Sequence, residues 1–368
     1  MLGAAFRRPG RALAVMASAT LLLGGCYSGR AAWGGLRLMA QRRPVERLLA
    51  DPGTAPALAD RLRTARALMD YAAEELALPV GRSYDSYVDL GRPYATWTVS
   101  AAPELSVEPV VWCFPVAGCV SYRGYFSEAA ARRFADRLEG RGLDVEVGGV
   151  RAFSTLGWFR DPLLSSFLDL SEPELAALLF HELAHRRLYL KGDTTFNESF
   201  ASLVEEEGVR RWLEGMGRPA ELETWLAARQ RDDEVVELAL ATRAELAEAY
   251  ASSRTDEWKR QRKRELLAEL RAAYRNRSSA WGNSWDGFFD TGLNNARLAS
   301  LGAYNELVPG LRRLLDASGG VLERFYEAAE GLAALTPEDR RARLGASPAV
   351  TGRRPATPPG DTNAGRGS

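Results

Sequence analysis

Phe180-His181-Glu182-Leu183-Ala184-His185 reads His-Glu-x-x-His inside an apolar run. On a helix, residues four apart share one face, one turn above the other. His181 and His185 can therefore offer two imidazoles to a single metal ion. Glu182 follows the first of them, where its carboxylate reaches a metal-bound water. Two ligands and a general base in this order are the arrangement of zinc hydrolases. The chain of 368 residues has only 2 histidines, and both lie in this stretch. A chance match that used up every histidine of the chain would be improbable.

The helix that carries the motif has clear ends. Ser171 and Glu174 form a capping box, and Pro173 suits the first turn. The pattern predicts a helix from Glu172 to about Leu190, stopped by Lys191-Gly192-Asp193. A second helix begins near Thr195 or Asn197 and runs through Glu198, Ala201 and Glu205 to about Leu213. A catalytic zinc needs a third protein ligand and an open position. No third histidine exists, so a carboxylate is expected. Glu198 is the first candidate, because its helix would pack antiparallel to the motif helix. Asp193 is the rival, and Glu205 is placed to hold an imidazole N–H.

Upstream, Leu36 to Ala50 and Pro56 to Leu78 carry helical periodicity. Tyr94 to Ala101, Val107 to Trp112, Val120 to Phe126, Leu143 to Val147 and Val150 to Trp158 read as strands. Ser127 caps a helix to Glu139 between them. Downstream, Ala220 to Tyr274 predicts a long helical hairpin broken around 252–255. Three shorter helices follow, Ala296 to Asn305, Val308 to Leu315 and Val321 to Leu335. The fold class expected is α+β: mainly helical, with a small mixed β-sheet before the motif helix and a long helical hairpin after it.

The N-terminus reads as a leader. Arg7, Arg8 and Arg11 precede an apolar run from Ala12 to Leu23, too short to span a bilayer comfortably. Leu23-Gly24-Gly25-Cys26 resembles the lipobox of bacterial lipoproteins. The resemblance implies cleavage before Cys26 and acylation of that residue, an anchor that several acyl chains make stable. Position 27 is Tyr rather than Asp, which favours delivery to the outer membrane, facing the periplasm. The expected divisions are a signal peptide at 1–25, a tether at 26–35 and a metallopeptidase-like domain at 36–346. That domain holds a small sheet region at 83–160, zinc-site helices at 171–213 and a helical region at 220–340. A disordered tail is expected at 347–368. In an oxidising compartment Cys113 and Cys119 are free to pair, closing a small loop worth about 2 kcal/mol. Lys plus Arg and Asp plus Glu number 48 each. That balance gives no global field for nucleic acid, which is not expected as a partner.

The set of motifs resembles a known group. His181-Glu182-Leu183-Ala184-His185 followed by Asn197-Glu198-Ser199-Phe200-Ala201 looks like the gluzincin metallopeptidases, where a later glutamate completes the site. The run from His181 through Tyr189 to Ala201 is similar, more closely, to a family of bacterial lipoproteins that carries the label aminopeptidase. Trp112-Cys113-Phe114-Pro115, Ser154-Thr155-Leu156-Gly157-Trp158 and Asn294-Asn295-Ala296-Arg297-Leu298 look like that family too. The resemblance spans roughly residues 30–340 and implies Zn2+ as cofactor and a peptide substrate. The chemistry implied is peptide-bond hydrolysis by a zinc-activated water with Glu182 as base, and Tyr304 is a candidate oxyanion donor. Two departures stand out. The gap from His185 to Glu198 is shorter than in thermolysin-like members. No Gly-x-Met-Glu-Asn segment, which classical zinc aminopeptidases use to hold the substrate amine, is present. The alternative reading is a non-catalytic periplasmic lipoprotein, a binding or assembly factor on the same scaffold.

Overall fold

The computed structural model describes residues 29, 33–114, 118–152, 160–290 and 292–345. In chain order, β1 (Arg43–Pro44), α1 (Val45–Ala50), α2 (Pro56–Glu74) and β2 (Ser86–Val88) come first. Then follow β3 (Thr96–Pro103), β4 (Trp112–Phe114), β5 (Gly118–Val120), β6 (Tyr122–Tyr125), α3 (Glu128–Glu139), β7 (Leu143–Val150), β8 (Leu163–Leu164) and α4 (Ser165–Leu168). The helical part comprises α5 (Glu172–Arg187), α6 (Thr194–Gly215), α7 (Pro219–Ala251), α8 (Asp256–Arg275) and α9 (Asp286–Asp290). It closes with α10 (Asn295–Asn305), α11 (Val308–Ala317), α12 (Leu322–Gly331) and α13 (Pro337–Leu344). The class is α+β and mainly helical.

The motif helix α5 buries a broad apolar face made of Leu175, Ala176, Leu179, Phe180, Leu183 and Ala184, and turns Glu174, His181 and Glu182 to the cleft. It starts as the sequence predicts: the Ser171 N–H donates to Glu174 Oε2 at 2.9 Å. It ends at Arg187, earlier than Leu190, for a specific reason. Asn197 of α6 accepts from Leu190 N (2.7 Å) and donates to Leu190 O (2.9 Å), which satisfies that peptide outside the helix. Gly192, at φ +87°, then turns the chain back. α6 packs against α5, and Gly208 lets the two come close. A Cβ there would stand 2.7 Å from the Phe180 ring. Phe200 of α6 stacks on Phe196 and on Phe325 of α12, extending the same core.

The strands form small separate sheets rather than one. The main sheet is antiparallel in the order β6-β3-β7, covered by α3 through Trp97, Val99, Phe134 and Leu138. β4 and β5 make a hairpin in which Cys113 faces Cys119, and the two are joined by a disulfide. β1, β2 and β8 form a third sheet, with β2 and β8 parallel. Residues 107–111 are not strand; the chain there runs from the main sheet toward β4. The helix expected over Leu36–Ala50 is interrupted at Arg43–Pro44, which pair with Tyr87 and Ser86 instead. The strand expected over Leu143–Val147 runs on to Val150; of the strand expected over Val150–Trp158, residues 151–152 are not strand and residues 153–159 lie outside those described.

The long hairpin is α7 and α8, broken at 252–255 as expected, with Thr255 capping α8. Its core closes on the 276–294 connection, where Tyr274 stacks on Phe289 with centroids 3.9 Å apart. α10 ties the helices to the main sheet. Asn294 Nδ2 donates to Val145 O (2.9 Å), Asn295 N to Asp144 Oδ2 (2.8 Å), and Arg297 forms a fork on Glu146 of β7. The Asn294–Leu298 stretch singled out in the sequence is therefore the anchor of α10.

Glu207 on α6 gives an acid-stability test. It is buried and accepts from Arg210 and Arg211. Burial raises its carboxyl, but these donors outweigh burial and hold it below the usual range. A depressed folded value stabilises above the unfolded value of about 4.3 and is lost as pH falls through the folded one. Glu207→Gln is expected to cost about 2 kcal/mol at pH 7 and much less at pH 2–3, read by urea denaturation at both pH values. An equal cost at both would remove the charge from the explanation.

Candidate metal centre

α5 presents His181 and His185 on one face, and α6 brings Glu198 across to them because the turn at 188–193 reverses the chain. His181 Nε2 lies 3.4 Å from Glu198 Oε2, and His185 Nε2 lies 3.5 Å from the same oxygen. One atom from each of the three converges within 4.8 Å. A tetrahedral ion with bonds of about 2.1 Å separates its donors by about 3.4 Å. The two imidazole–carboxylate separations match that spacing. All three are largely withdrawn from solvent.

Glu205, two turns further along α6, meets His181 Nδ1 at 3.1 Å. That contact fixes which imidazole nitrogen faces Glu198. Burial lowers the His181 imidazole, but Glu198 and Glu205 together raise it to about 10. Burial raises Glu198, yet the neighbouring His185 and His181 hold it far below the ordinary carboxylate value. Glu182 faces the open side of the site, and its carboxyl is raised by burial, with the two histidines partly opposing. His185 Nδ1 is buried and has no hydrogen-bond partner among the described residues.

Tyr304, at the end of α10, stacks on His181 with centroids 6.2 Å apart. The Glu198 charge, and then burial, push its phenol well above the ordinary value, although 43% of the residue's surface stays exposed at the cleft mouth. Asp193 goes elsewhere. Its carboxylate caps α6 by accepting from Phe196 N (3.1 Å) and pairs with Arg340 of α13. Both partners are buried. Cys26 and the leader lie outside the described residues, as does the tail expected at 347–368. Among the described residues no helix is long and apolar enough to cross a membrane.

The site opens into a cleft of about 1000 Å³. Its walls are the first half of α5, the end of β7 with residues 151–152, one face of α7, the turn at Trp281–Ser284, and Tyr304. Several contributors had no signal in the sequence. Tyr84 is buried at φ +64° and Asp161 is buried beside it; the two bond through Tyr84 N and Asp161 O (2.7 Å). Both act on the Glu182 side of the site, where Asp161 adds to the rise of the Glu182 carboxyl. Arg229 of α7 lies 3.7 Å from Glu205 and pairs with Asp232, which accepts from Trp285 Nε1 (2.7 Å).

No curated protein and no solved structure matches the chain. One family model does, over residues 26–344, which is most of the chain and includes every residue of the triad. The chain belongs to the family described as "Putative aminopeptidase".

Proposed function

We propose that the protein is a zinc-dependent peptidase. The observation that carries this reading is the convergence of two imidazole Nε2 atoms and one carboxylate oxygen, with Glu182 beside them at the floor of a cleft. Two nitrogens and one oxygen form a donor set suited to zinc, and three protein ligands leave a position open. The family to which the chain belongs supports peptides as the substrate class.

Zinc, when bound there, supplies a Lewis acid and a water acidified to a pKa of about 7. Glu182 accepts the proton from the attacking water and passes it to the leaving amine. Glu205 holds the Nδ1–H of His181, which keeps the Nε2 lone pair turned into the site. Tyr304 stacks on His181 and its hydroxyl interacts with Glu198, a place from which it would donate to an oxyanion as it forms. The cleft walls hold the chain of the peptide and displace water around the scissile bond.

Metal analysis of the purified soluble chain tests the reading. One zinc per chain is expected, and none in His181→Ala. Glu205→Ala should retain the site but weaken zinc binding about 10–100-fold, measured by competition with a chelator. A chain that takes up no metal would sink the proposal.

We propose further that Cys26 carries the lipid anchor and that the site faces the periplasm, with outer-membrane attachment. The lipobox-like Leu23-Gly24-Gly25-Cys26 supports this. Cys26→Ser should release the protein from the membrane fraction.

A further inference from the structure

One face of α7 forms a long wall of the cleft. From Glu221 to Asp232 it runs about 16 Å, the length of roughly five extended residues. At 100° per residue, Glu221, Ala228 and Asp232 lie along the middle of this face. Arg229 lies on the rim toward Glu205 of α6. Arg231 lies on the opposite rim, the side of Glu234 and Trp281.

The charges of the cleft are nearly all committed within the protein. Glu174 belongs to the capping box, and Glu221 is held by Arg218. Asp232 and Glu205 share Arg229. Arg151 donates to Ser166 O and lies beside Asp169. Glu234, one turn beyond Arg231, accepts from Trp281 Nε1 at 2.8 Å. Arg231 alone among these lining cations has no carboxylate and no carbonyl bound to it among the described residues. It is half-buried. An arginine carries five N–H donors in a fork that matches a carboxylate, and the pair gains strength where solvent is excluded.

We infer that Arg231 is a substrate-binding residue of the cleft and holds a carboxylate of the bound peptide. This rests on the peptidase reading of the site and narrows it. The substrates it favours are short peptides whose C-terminal carboxylate, or whose acidic side chain, reaches the Arg231 rim while the scissile bond lies at Glu182. The other charges of the cleft leave an uncharged peptide equally able to enter, so the preference depends on this one cation.

Binding is measured by calorimetry on the zinc-loaded Glu182→Gln chain, with and without Arg231→Gln. Three tetrapeptide probes share a free amino terminus. They are tetra-alanine with a free carboxylate, its C-terminal amide, and an amide with one Glu in place of an Ala. A carboxylate-bearing probe should bind about 10–100-fold more tightly than the plain amide. That ratio should fall to near one in Arg231→Gln and stay intermediate in Arg231→Lys, which keeps the charge and loses the fork. Which of the two carboxylate probes gains tells a terminal from a side-chain source. No preference in the parent, no binding of any probe, or a preference that survives Arg231→Gln would each overturn the inference. Hydrolysis by the unsubstituted chain is scored separately. If it is absent while the Arg231-dependent preference is present, the peptidase reading fails and the carboxylate site stands.

Discussion

Glu182→Gln is expected to bind zinc as the parent does and to lose peptide hydrolysis by about 10²–10⁴-fold, the usual contribution of a placed general base. The loss should fall on kcat and leave KM nearly unchanged, because the interaction is made in the transition state. The residues proposed for the two roles hold distinct positions. The triad atoms that converge are those of His181, His185 and Glu198, whereas Glu182 faces the cleft. Gln has nearly the same shape as Glu and keeps its hydrogen-bonding capacity but cannot take a proton near neutrality. Folding should therefore be unaffected, which thermal melts would verify. Hydrolysis that persists in this variant would exclude Glu182 as the base, and loss of zinc would place it among the ligands.

Asp193→Ala should have the opposite profile: a large loss of stability with zinc content retained in the folded fraction. Its carboxylate is buried against Arg340 and also caps α6. Removing one member of a buried pair leaves the other charge uncompensated, at a cost of about 3–5 kcal/mol. The missing cap adds about 1 kcal/mol. Glu198→Ala should instead abolish zinc binding. Its metal-free stability should fall as well, because His181 and His185 hold the Glu198 carboxylate, so zinc content is the readout that separates the two. Denaturant titration and metal analysis of the two variants side by side decide between the two third ligands weighed from sequence. If Asp193→Ala lost zinc while remaining stable, the assignment to Glu198 would be wrong. An Asp193→Ala, Arg340→Ala double variant that recovers part of the stability would attribute the cost to the stranded guanidinium.

What could be read from the sequence was local or rested on scarcity. The His-Glu-x-x-His helix and its Ser171/Glu174 box are set by spacing within a few residues. With only two histidines in the chain, a carboxylate third donor was the remaining option. Glu198 and Glu205 then follow from the helical period of α6, and the structure brings both to the histidines. The parts that were not legible depend on distant partners. Asp193 looked like a ligand because nothing near it announces Arg340, 147 residues later. Pro44 biases Arg43 toward extended backbone, and the pairing of the two with Tyr87 and Ser86, more than 40 residues on, makes them a strand. Residues 107–111 have strand-like composition but no partner strand in the described chain. Tyr84 reaches the site in a backbone conformation that its own side chain disfavours. Arg231 has no motif at all; its position emerges only when α7 is seen to wall the cleft.

The two rings of His181 and His185 stand edge to face with centroids 4.8 Å apart, and they are the only imidazoles in the chain. Every imidazole resonance of this protein therefore originates within a few ångströms of the proposed metal. A 15N-labelled sample would give two imidazole spin systems and no background, so tautomer, protonation and metal loading could be followed for each ligand in the intact chain. Few metal sites come with so complete an internal reporter, and here it requires no engineered label.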